Sequence, residues 1–353
     1  MSLGDFFTPG TPGAQGYRWP AEWEPHASTW LSWPHNRDTW PNKFEPVPGA
    51  FARFVKTLAQ FEPVNILAGG DETKATAQSL VGHLANVTLW DIPTNDAWCR
   101  DHGPAFLCGK KVGLEPLILD WGYNAWGGKY PPFDLDDVAP TRIAEKLGRK
   151  CLAPNMILEG GAIEGNGAGT MLTTEACLLN PNRNPGLSKE QIEQNLRDYY
   201  GVRRVLWCKQ GSLNGDDTDS HIDQLARFVG PNTVVVAACS DKLDPNYKPL
   251  WELWDELTQF RTLDGQRILA VPLYLPAPKL EQGQRLPCSY CNFVFANDAV
   301  LVPTFDDPAD VHAIETFEEL FPDRKILGVP SLDLIWGLGS LHCLSQQEPL
   351  CAI

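Results

Sequence analysis

Short apolar segments alternate with longer amphipathic segments along most of the chain. The apolar segments are typical of strands and comprise residues 29–33, 64–68, 87–90, 116–120, 202–207, 233–238, 268–271, 292–296, 299–303 and 326–329. The amphipathic segments, with apolar residues three or four positions apart, predict helices at residues 48–61, 73–84, 141–147, 189–200, 250–263 and 308–320. Because a few strands and then a helix recur about five times, the chain is predicted to form one α/β assembly.

Polar residues mark the starts of three predicted helices. Asp71 is placed to cap the second helix, and Ser188 with Gln191 forms a capping box ahead of the fourth. Asp307 and Pro308 supply a hydrogen-bond acceptor and then a proline at the start of the last helix.

The composition predicts one folded domain behind a short lead-in. The chain has 353 residues, of which 43% are hydrophobic and 21% are charged, as is ordinary for a soluble globular protein. Proline and glycine are frequent over residues 8–16, and no later segment has the composition of a linker. We therefore expect residues 1–16 to be a flexible N-terminal lead-in and residues 17–353 to form a single domain.

The net charge of −15 changes which partners are plausible. Such a field repels nucleic acid and anionic membranes and attracts small cations. No apolar run approaches the length of a membrane-spanning helix, and the first residues lack the basic and apolar regions of a signal peptide. We expect a cytoplasmic protein with a small cationic partner, no nucleic-acid partner and no membrane partner; a homo-oligomer is left open.

The 10 cysteines show no spacing typical of a small disulfide-rich scaffold. Cys177 and several others lie in apolar, strand-like runs, where cysteine is usually a small buried side chain. Cys288 and Cys291 have the spacing of one half of a zinc site, but no second pair accompanies them. We therefore predict reduced cysteines and no metal.

Residues 95–104 combine carboxylates with an indole. Asp96 and Asp101 flank Trp98 in this segment. A carboxylate can hold a guanidinium through two parallel hydrogen bonds, and an indole can cover the apolar tail of a cation. The alternative is a salt bridge from Arg100 that closes a turn.

A second group of ionisable residues surrounds His221. Glu159 precedes two glycines, so it either orients a histidine or lies in an ordinary turn. His221 and Asp223 follow the acidic run 215–220, and on an extended segment they would point to the same side. An imidazole moves protons near neutral pH. The alternatives for this run are a metal site and a solvated acidic loop.

Cys343 ends the glycine-rich segment 337–343. A cysteine attacks as the thiolate, and a nearby cation, including a cationic substrate, lowers its pKa. The alternative is an inert buried cysteine near the C-terminus. A thiol, an imidazole and several carboxylates predict a cysteine-nucleophile enzyme for a cationic substrate, provided that they meet in space.

The segments that carry these residues resemble the agmatine deiminase family, within the bacterial peptidyl-arginine deiminase-like group. The similar segments span almost the whole chain and comprise residues 19–26, 95–104, 120–128, 158–161, 172–185, 218–223 and 341–347. The resemblance implies the pentein fold, an α/β propeller of five ββαβ units around a central active site.

The resemblance also implies a role for each candidate residue. Cys343 matches the nucleophile that attacks the guanidinium carbon, and Asp101 and Asp223 match the carboxylates that hold the guanidinium nitrogens. His221 matches the proton shuttle, and Glu159 matches the acid that holds and tunes this histidine. No metal or organic cofactor is implied.

Three further residues are expected to bind substrate. Trp98 and Trp126 are expected to line the tail of the substrate, and Asp217 matches an acidic residue that faces a distant amine. The implied reaction is hydrolysis of agmatine to N-carbamoylputrescine and ammonia through a covalent thiouronium, a step of polyamine metabolism that leads to putrescine.

Two positions beside the nucleophile depart from the family pattern. Where agmatine deiminases typically have Gly-Gly-Gly-Asn-Ile-His-Cys, this chain has Leu338 and Ser340 within residues 337–343. Peptidyl-arginine deimination and amidino transfer are therefore alternatives within the same fold. A guanidine-binding protein without turnover and a metallohydrolase that uses His221 and Asp223 are alternatives from other classes.

Overall fold

The computed structural model describes residues 6–111 and 113–351. Its strands are β1 Tyr17–Arg18, β2 His26–Ser32, β3 Val64–Leu67, β4 Val87–Trp90, β5 Ala105–Gly109, β6 Leu117–Leu119, β7 Cys151–Leu152, β8 Ile163–Gly165, β9 Thr170–Thr174, β10 Arg204–Cys208, β11 Ala226–Phe228, β12 Thr233–Ala238, β13 Leu269–Tyr274, β14 Leu280–Glu281, β15 Gln284–Arg285, β16 Val294–Ala296, β17 Ala299–Thr304, β18 Lys325–Pro330 and β19 Ser345–Pro349. Its helices and helical turns are α1 Pro12–Gln15, α2 Val47–Leu58, α3 Asp71–Val81, α4 Cys99–His102, α5 Ala125–Gly128, α6 Asp134–Asp137, α7 Ala139–Leu147, α8 Glu175–Leu178, α9 Lys189–Tyr200, α10 Ile222–Leu225, α11 Tyr247–Gln259, α12 Ala309–Leu320 and α13 Leu332–Ile335.

The strands lie in five sheets of three or four strands and one two-stranded hairpin. Each of the larger sheets contains an antiparallel pair whose chain then passes through a helix into a parallel strand. In one sheet β11 pairs antiparallel with β12, and β12 pairs parallel with β13 after α11. The helix is needed because a parallel neighbour requires a long crossover connection. The predicted α/β class is confirmed, and the strands described here form no closed sheet.

Every predicted strand is present, but strands built from polar residues were missed. β19 has the sequence Ser-Gln-Gln-Glu-Pro, yet all of it is buried, and it pairs with β2 to join the end of the chain to its start. β9 is also buried throughout and contains three threonines. Hydropathy does not reveal such strands, because their burial depends on hydrogen-bond partners elsewhere in the fold. Cys177, which was predicted to lie in a strand-like run, lies in α8.

The predicted start of α9 is confirmed, whereas α12 starts one residue later than predicted, with Pro308 rather than Asp307 as its N-cap. In α9 the Ser188 hydroxyl accepts from the Gln191 backbone N–H at 3.3 Å, and the Gln191 side chain accepts from the Ser188 N–H at 2.8 Å. The Asp307 carboxylate accepts from the Ala309 N–H at 3.1 Å at the start of α12. The prediction for Asp71 is wrong, since α3 already begins at this residue and makes no side-chain cap.

The chain segments near both termini are attached to other parts of the fold. The Thr8 backbone N–H donates to the Asp198 carboxylate of α9 at 2.7 Å. Residues 1–5 of the predicted lead-in lie outside the described residues, and its flexibility stays a prediction. Cys351 forms a disulfide with Cys108, so the prediction of reduced cysteines is wrong for this pair. Their separation of 243 residues hides the pairing from any argument based on spacing.

The helices pack one apolar face each against the sheets. α11 buries Leu250, Leu253 and Leu257, which lie on one side because a helix turns every 3.6 residues. None of the helices among residues 6–111 and 113–351 is both long and apolar enough to cross a membrane.

The capping box at the start of α9 is expected to stabilise the fold measurably. Replacing Ser188 with Ala removes the acceptor for the Gln191 N–H and is expected to cost about 1 kcal/mol. Ser79→Ala in α3 is the matched control, because Ser79 is exposed and bonds only to its own helix at Thr76; it is expected to change stability by less than about 0.5 kcal/mol. Urea unfolding measures both, and equal changes would contradict the role of the cap.

Candidate active site

A cavity of about 410 Å³ brings most of the predicted site residues together. Cys343 and Asp101 line it together with the two predicted tryptophans, Trp98 and Trp126. Asp217 also lines this cavity, beside Lys129 and Tyr130. Five of the eight predicted residues thus share one cavity, whereas His221, Asp223 and Glu159 are fully buried and do not line it.

Cys343 lies in the loop between α13 and β19 and is surrounded by polar side chains. Its Sγ atom lies 3.1 Å from Asn292 Nδ2, 3.5 Å from Asp223 Oδ2 and 3.7 Å from Gln224 Nε2. Asn292 Oδ1 also accepts from the Cys343 backbone N–H at 3.2 Å. The sequence analysis missed Asn292 and Gln224, since a single buried amide carries no recognisable pattern.

The glycines before Cys343 allow Trp98 to lie against the loop. A Cβ atom on Gly339 would be 2.3 Å from the Trp98 ring, and one on Gly337 would be 2.8 Å from it. Between these glycines, Leu338 lines the cavity with a φ of 70°, a conformation that favours glycine. The departure at Leu338 therefore lies within the cavity wall itself.

Asp101, His221 and Asp223 converge above Gly161. A Cβ atom on Gly161 would lie 2.6 Å from His221 Nδ1, 2.8 Å from Asp101 Oδ1 and 3.1 Å from Asp223 Oδ2. His221 Nδ1 lies 3.7 Å from Asp101 Oδ1. Asp223 lies in the helical turn α10, so the predicted extended segment is wrong, although both side chains still reach the same place.

Hydrogen bonds orient Asp101 towards the cavity. Its Oδ1 accepts from the Gly161 N–H at 2.9 Å, and its Oδ2 accepts from the Trp126 indole N–H at 3.0 Å. Trp126 is held by a left-handed turn in which residues 125–128 all have positive φ. Trp126 thus fixes a carboxylate as well as lining the cavity, a role that the sequence analysis did not foresee.

Glu159 is close to His221 but makes its strongest contact elsewhere. A carboxylate oxygen of Glu159, the Cys177 sulfur and a His221 ring nitrogen lie within 4.8 Å of one another. Glu159 accepts from Arg183 Nε at 2.6 Å, and both side chains are buried. The Arg183–Glu159 pair was not predicted.

Several buried polar atoms near Asp101 and Cys343 have no protein partner. Neither ring nitrogen of His221 has a hydrogen bond, nor do Asp223 Oδ1 and Glu159 Oε2, among the residues described. Buried polar atoms are usually paired, and an unpaired one calls for an explanation such as a catalytic role. The unpaired Asp223 and Glu159 oxygens are hydrogen-bond acceptors, and Asp223 also contacts the Cys343 sulfur, which lines the cavity.

A buried ion network supports Asp223 from behind. Asp223 Oδ2 lies 2.8 Å from His342 Nδ1, and His342 Nε2 lies 3.0 Å from Glu22 Oε1. Glu22 in turn accepts from Arg227 at 2.5 Å and from Arg100 at 3.1 Å. All five side chains are buried. The sequence analysis assigned no role to His342, although it precedes Cys343 directly.

Burial and neighbouring groups act in opposite directions on the pKa values of Glu22 and Asp223. Burial disfavours the charged form of Glu22, but Arg100 and Arg227 hold its pKa well below its usual range. Burial likewise disfavours the Asp223 carboxylate, yet its hydrogen bond with His342 lowers its pKa. Burial raises the pKa of Asp101 to about 6.

The pKa values of Cys343 and His221 are both raised. Burial and the nearby Asp223 and Asp101 carboxylates raise the pKa of Cys343 well above its usual range. Burial opposes the charge of His221, but Asp101 and other neighbours raise its pKa well above the usual value. Without a ligand the site therefore holds a thiol, which a bound cation would convert more readily into a thiolate.

Asp217 is already paired. Its Oδ1 lies 3.1 Å from Lys129 Nζ, and its Oδ2 accepts from the Tyr130 hydroxyl. Both partners line the same cavity. The predicted amine-binding carboxylate thus shares the cavity with Cys343, but with a cation of the protein beside it.

Comparisons with known proteins show the family to which the chain belongs. The family model described as Porphyromonas-type peptidyl-arginine deiminase matches residues 18–349. An agmatine deiminase of Pseudomonas aeruginosa strain LESB58 is 38% identical, over 96% of this chain and 97% of its own length. The predicted family resemblance is confirmed, and the chain belongs to the Porphyromonas-type peptidyl-arginine deiminase family.

Solved structures show the same likeness. The agmatine deiminase of Enterococcus faecalis superimposes with a TM-score of 0.91 at 33% identity, covering 98% of this chain and 100% of that one. An agmatine deiminase of C. jejuni with substrate bound gives a TM-score of 0.87 at 33% identity, covering 94% of this chain and 96% of that one.

The network around Glu22 is expected to carry much of the stability of the site. Glu22→Ala leaves Arg227, Arg100 and His342 without a shared partner and is expected to cost about 3–5 kcal/mol in urea unfolding. Glu45→Ala is the control: Glu45 pairs with Arg37, and both side chains are more than half exposed. It is expected to cost less than about 1 kcal/mol. Comparable small losses in both variants would contradict this assignment.

The raised pKa of Cys343 leads to a reactivity prediction. At pH 7 the alkylation rate of Cys343 is measured with cationic 2-chloroacetamidine and with neutral chloroacetamide, and the ratio of the two rates is compared with the same ratio for free cysteine. The ratio for Cys343 is expected to be about tenfold higher, the effect of one pKa unit at the thiol. Mass spectrometry of timed samples measures the modification, and a ratio equal to that of free cysteine would contradict the effect of the cation.

Proposed function

We propose that the protein is an agmatine deiminase that converts agmatine and water into N-carbamoylputrescine and ammonia. The observation that carries the proposal is the convergence of Asp101, Asp223 and His221 above Gly161, beside the Cys343 thiol. Two carboxylates and a nucleophile match the planar guanidinium group, which offers N–H donors at its edge and an electrophilic carbon at its centre. Relatives named agmatine deiminases cover nearly the whole chain.

The proposed first half-reaction forms a covalent intermediate. Asp101 and Asp223 hold the guanidinium nitrogens and place the central carbon in line with the sulfur. When the cation binds, the Cys343 thiol releases its proton to solvent. The resulting thiolate forms a C–S bond to that carbon, and the C–N π electron pair moves onto a nitrogen. His221 donates a proton to this nitrogen, the C–N bond breaks, and ammonia leaves, which gives an S-alkylthiouronium.

The second half-reaction hydrolyses this intermediate. His221, now neutral, accepts a proton from water as the water oxygen attacks the thiouronium carbon. The C–S bond then breaks and returns its electron pair to Cys343 as the thiolate, the hydroxyl proton of the adduct passes to solvent, and the neutral ureido product leaves. Glu159, close to the His221 ring and fixed by Arg183, is proposed to hold and tune the histidine in both steps. Trp98 and Trp126 are proposed to line the four-carbon tail of agmatine. Asp217 is proposed to bind the ammonium at the far end of that tail.

The architecture is proposed to be a pentein propeller of five ββαβ units that surround the cavity, with residues 17–353 as one catalytic domain. The five larger sheets, each with an antiparallel and a parallel pair, support this arrangement. A cytoplasmic location and a homo-oligomer remain proposals from the sequence. The Cys108–Cys351 disulfide bears on the location, because reducing compartments keep such pairs as thiols.

Peptidyl-arginine deimination is the second candidate function. The observation that favours it is the pairing of Asp217 with Lys129 and Tyr130, which leaves no free carboxylate of Asp217 for a substrate amine. The arginyl side chain of a peptide offers the same guanidinium without an amine at that distance.

An assay of ureido product with agmatine, free arginine and an arginyl peptide tests the proposal. Agmatine is expected to give the highest kcat/KM, and a preference for the peptide would favour the second function. Cys343→Ala is expected to lower the rate by on the order of 10⁴-fold or more, whereas Cys288→Ala and Cys291→Ala should largely retain it. Insensitivity to chelators in the active variants would exclude a metallohydrolase. Full activity of Cys343→Ala would contradict the proposed covalent mechanism.

A further inference from the structure

Lys129 places a cation of the protein at the acidic part of the cavity wall. Its Nζ atom donates to the Asp217 backbone carbonyl at 2.6 Å, to Asp217 Oδ1 at 3.1 Å and to Asp219 Oδ1 at 3.1 Å. The Lys129 side chain is only 27% exposed. Three oxygen contacts on a partly buried ammonium distinguish it from an ordinary solvated lysine.

The backbone holds Lys129 in this place. Asn124 accepts from the Gly127 N–H at 2.8 Å and donates to the Asn182 carbonyl at 3.0 Å, which ties the turn before Lys129 to a neighbouring loop. A Cβ atom on Gly127 would lie 2.5 Å from the Asn182 side chain, so this approach requires glycine.

The carboxylates beside Lys129 are also fixed. Asp216 accepts from the Thr218 hydroxyl at 2.6 Å and from the Ser220 N–H at 2.9 Å, which orders the loop that carries Asp217. The second oxygen of Asp219 accepts from Arg183 at 2.6 Å. Lys129 thus meets a pre-arranged acidic site.

The pairing leaves few carboxylates for a second cation. Both oxygens of Asp217 are occupied, one by Lys129 and the other by Tyr130. An ammonium at the far end of a substrate therefore has to compete with Lys129 for Asp217.

Three other carboxylates line the cavity, and none of them replaces Asp217. Asp101 belongs to the reactive base of the cavity. Asp96 is partly buried and already accepts from the Thr39 hydroxyl at 2.6 Å and from a backbone N–H at 2.7 Å. Asp38 is exposed, so water weakens any ion pair that it forms. Asp217 is thus the partly buried carboxylate for which two cations compete.

We propose that Lys129 is a specificity-determining residue that competes, through its own ammonium, with a cationic substrate tail for Asp217. The inference rests on the proposed guanidine hydrolysis. It adds that Lys129 reduces the preference for a charged over an uncharged tail that Asp217 alone would give. Lys129→Met releases Asp217 for the substrate, whereas a neutral tail gains nothing from the change.

The test compares agmatine with pentylguanidine, which has a methyl group in place of the ammonium. In Lys129→Met, KM for agmatine is expected to fall about two- to fivefold, the range measured for partly exposed ion pairs, with kcat unchanged. Both constants for pentylguanidine should stay as in the wild type. Adding Asp217→Asn should abolish the gain on agmatine. Lys189→Met is the control, because it removes a partly exposed ion pair with Glu175 and neither residue lines the cavity. It should change neither KM nor kcat for either substrate.

An unchanged or higher KM for agmatine in Lys129→Met would overturn the inference, as would an equal change on both guanidines. Failure of the proposed function gives a different result, because the wild type would then release ammonia from neither compound. In that case calorimetry compares Cys343→Ala with the double variant that also carries Lys129→Met. The inference requires that the Kd for agmatine is about two- to fivefold lower in the double variant, the effect of an exposed pair, and that the Kd for pentylguanidine is the same in both. Equal Kd values for agmatine in the single and double variants would overturn it.

Discussion

The shared ion network around Glu22 is the constraint on which the rest of the structure depends. Glu22 precedes β2, Arg100 lies in α4, Arg227 in β11 and His342 in the loop before β19. A carboxylate buried at this depth is stable only when cations and hydrogen bonds replace its water. Because Glu22 meets both arginines and His342, parts of the chain that are distant in sequence have to come together before its charge is compensated.

This network extends to the reactive end of the cavity. His342 contacts Asp223, and the Arg100 backbone N–H donates to the Cys343 carbonyl at 3.1 Å, so the network positions a carboxylate and the thiol at once. The same burial that fixes these groups raises the pKa of the thiol. A cation that enters between Asp101 and Asp223 would relieve the excess of negative charge, which explains why an acidic pocket suits a cysteine nucleophile that reacts with a cationic group.

The acidic wall around Asp217 obeys different energetics. Lys129, Asp217 and Asp219 are each partly exposed, and water weakens ion pairs of this kind. Exchanging one partner there costs little, whereas removing Glu22 would leave buried charges without compensation. A change at Lys129 can therefore leave the arrangement of Asp101, His221 and Cys343 intact.

The sequence by itself determined the α/β alternation, the capping box at Ser188 and, through the motifs, the group of Cys343, His221, Asp101, Asp223 and Glu159. The first two depend on local patterns of a few neighbouring residues, and the group of candidate site residues follows from the family resemblance of the segments that carry them. Only the tertiary structure decided that β19 is buried despite its polar residues, that Asn292 lies beside the thiol and that Trp126 binds Asp101. It also decided that the Lys129 ammonium forms an ion pair with the Asp217 carboxylate. Each of these is a contact between distant segments, and its energy exists only once folding has removed the water between them.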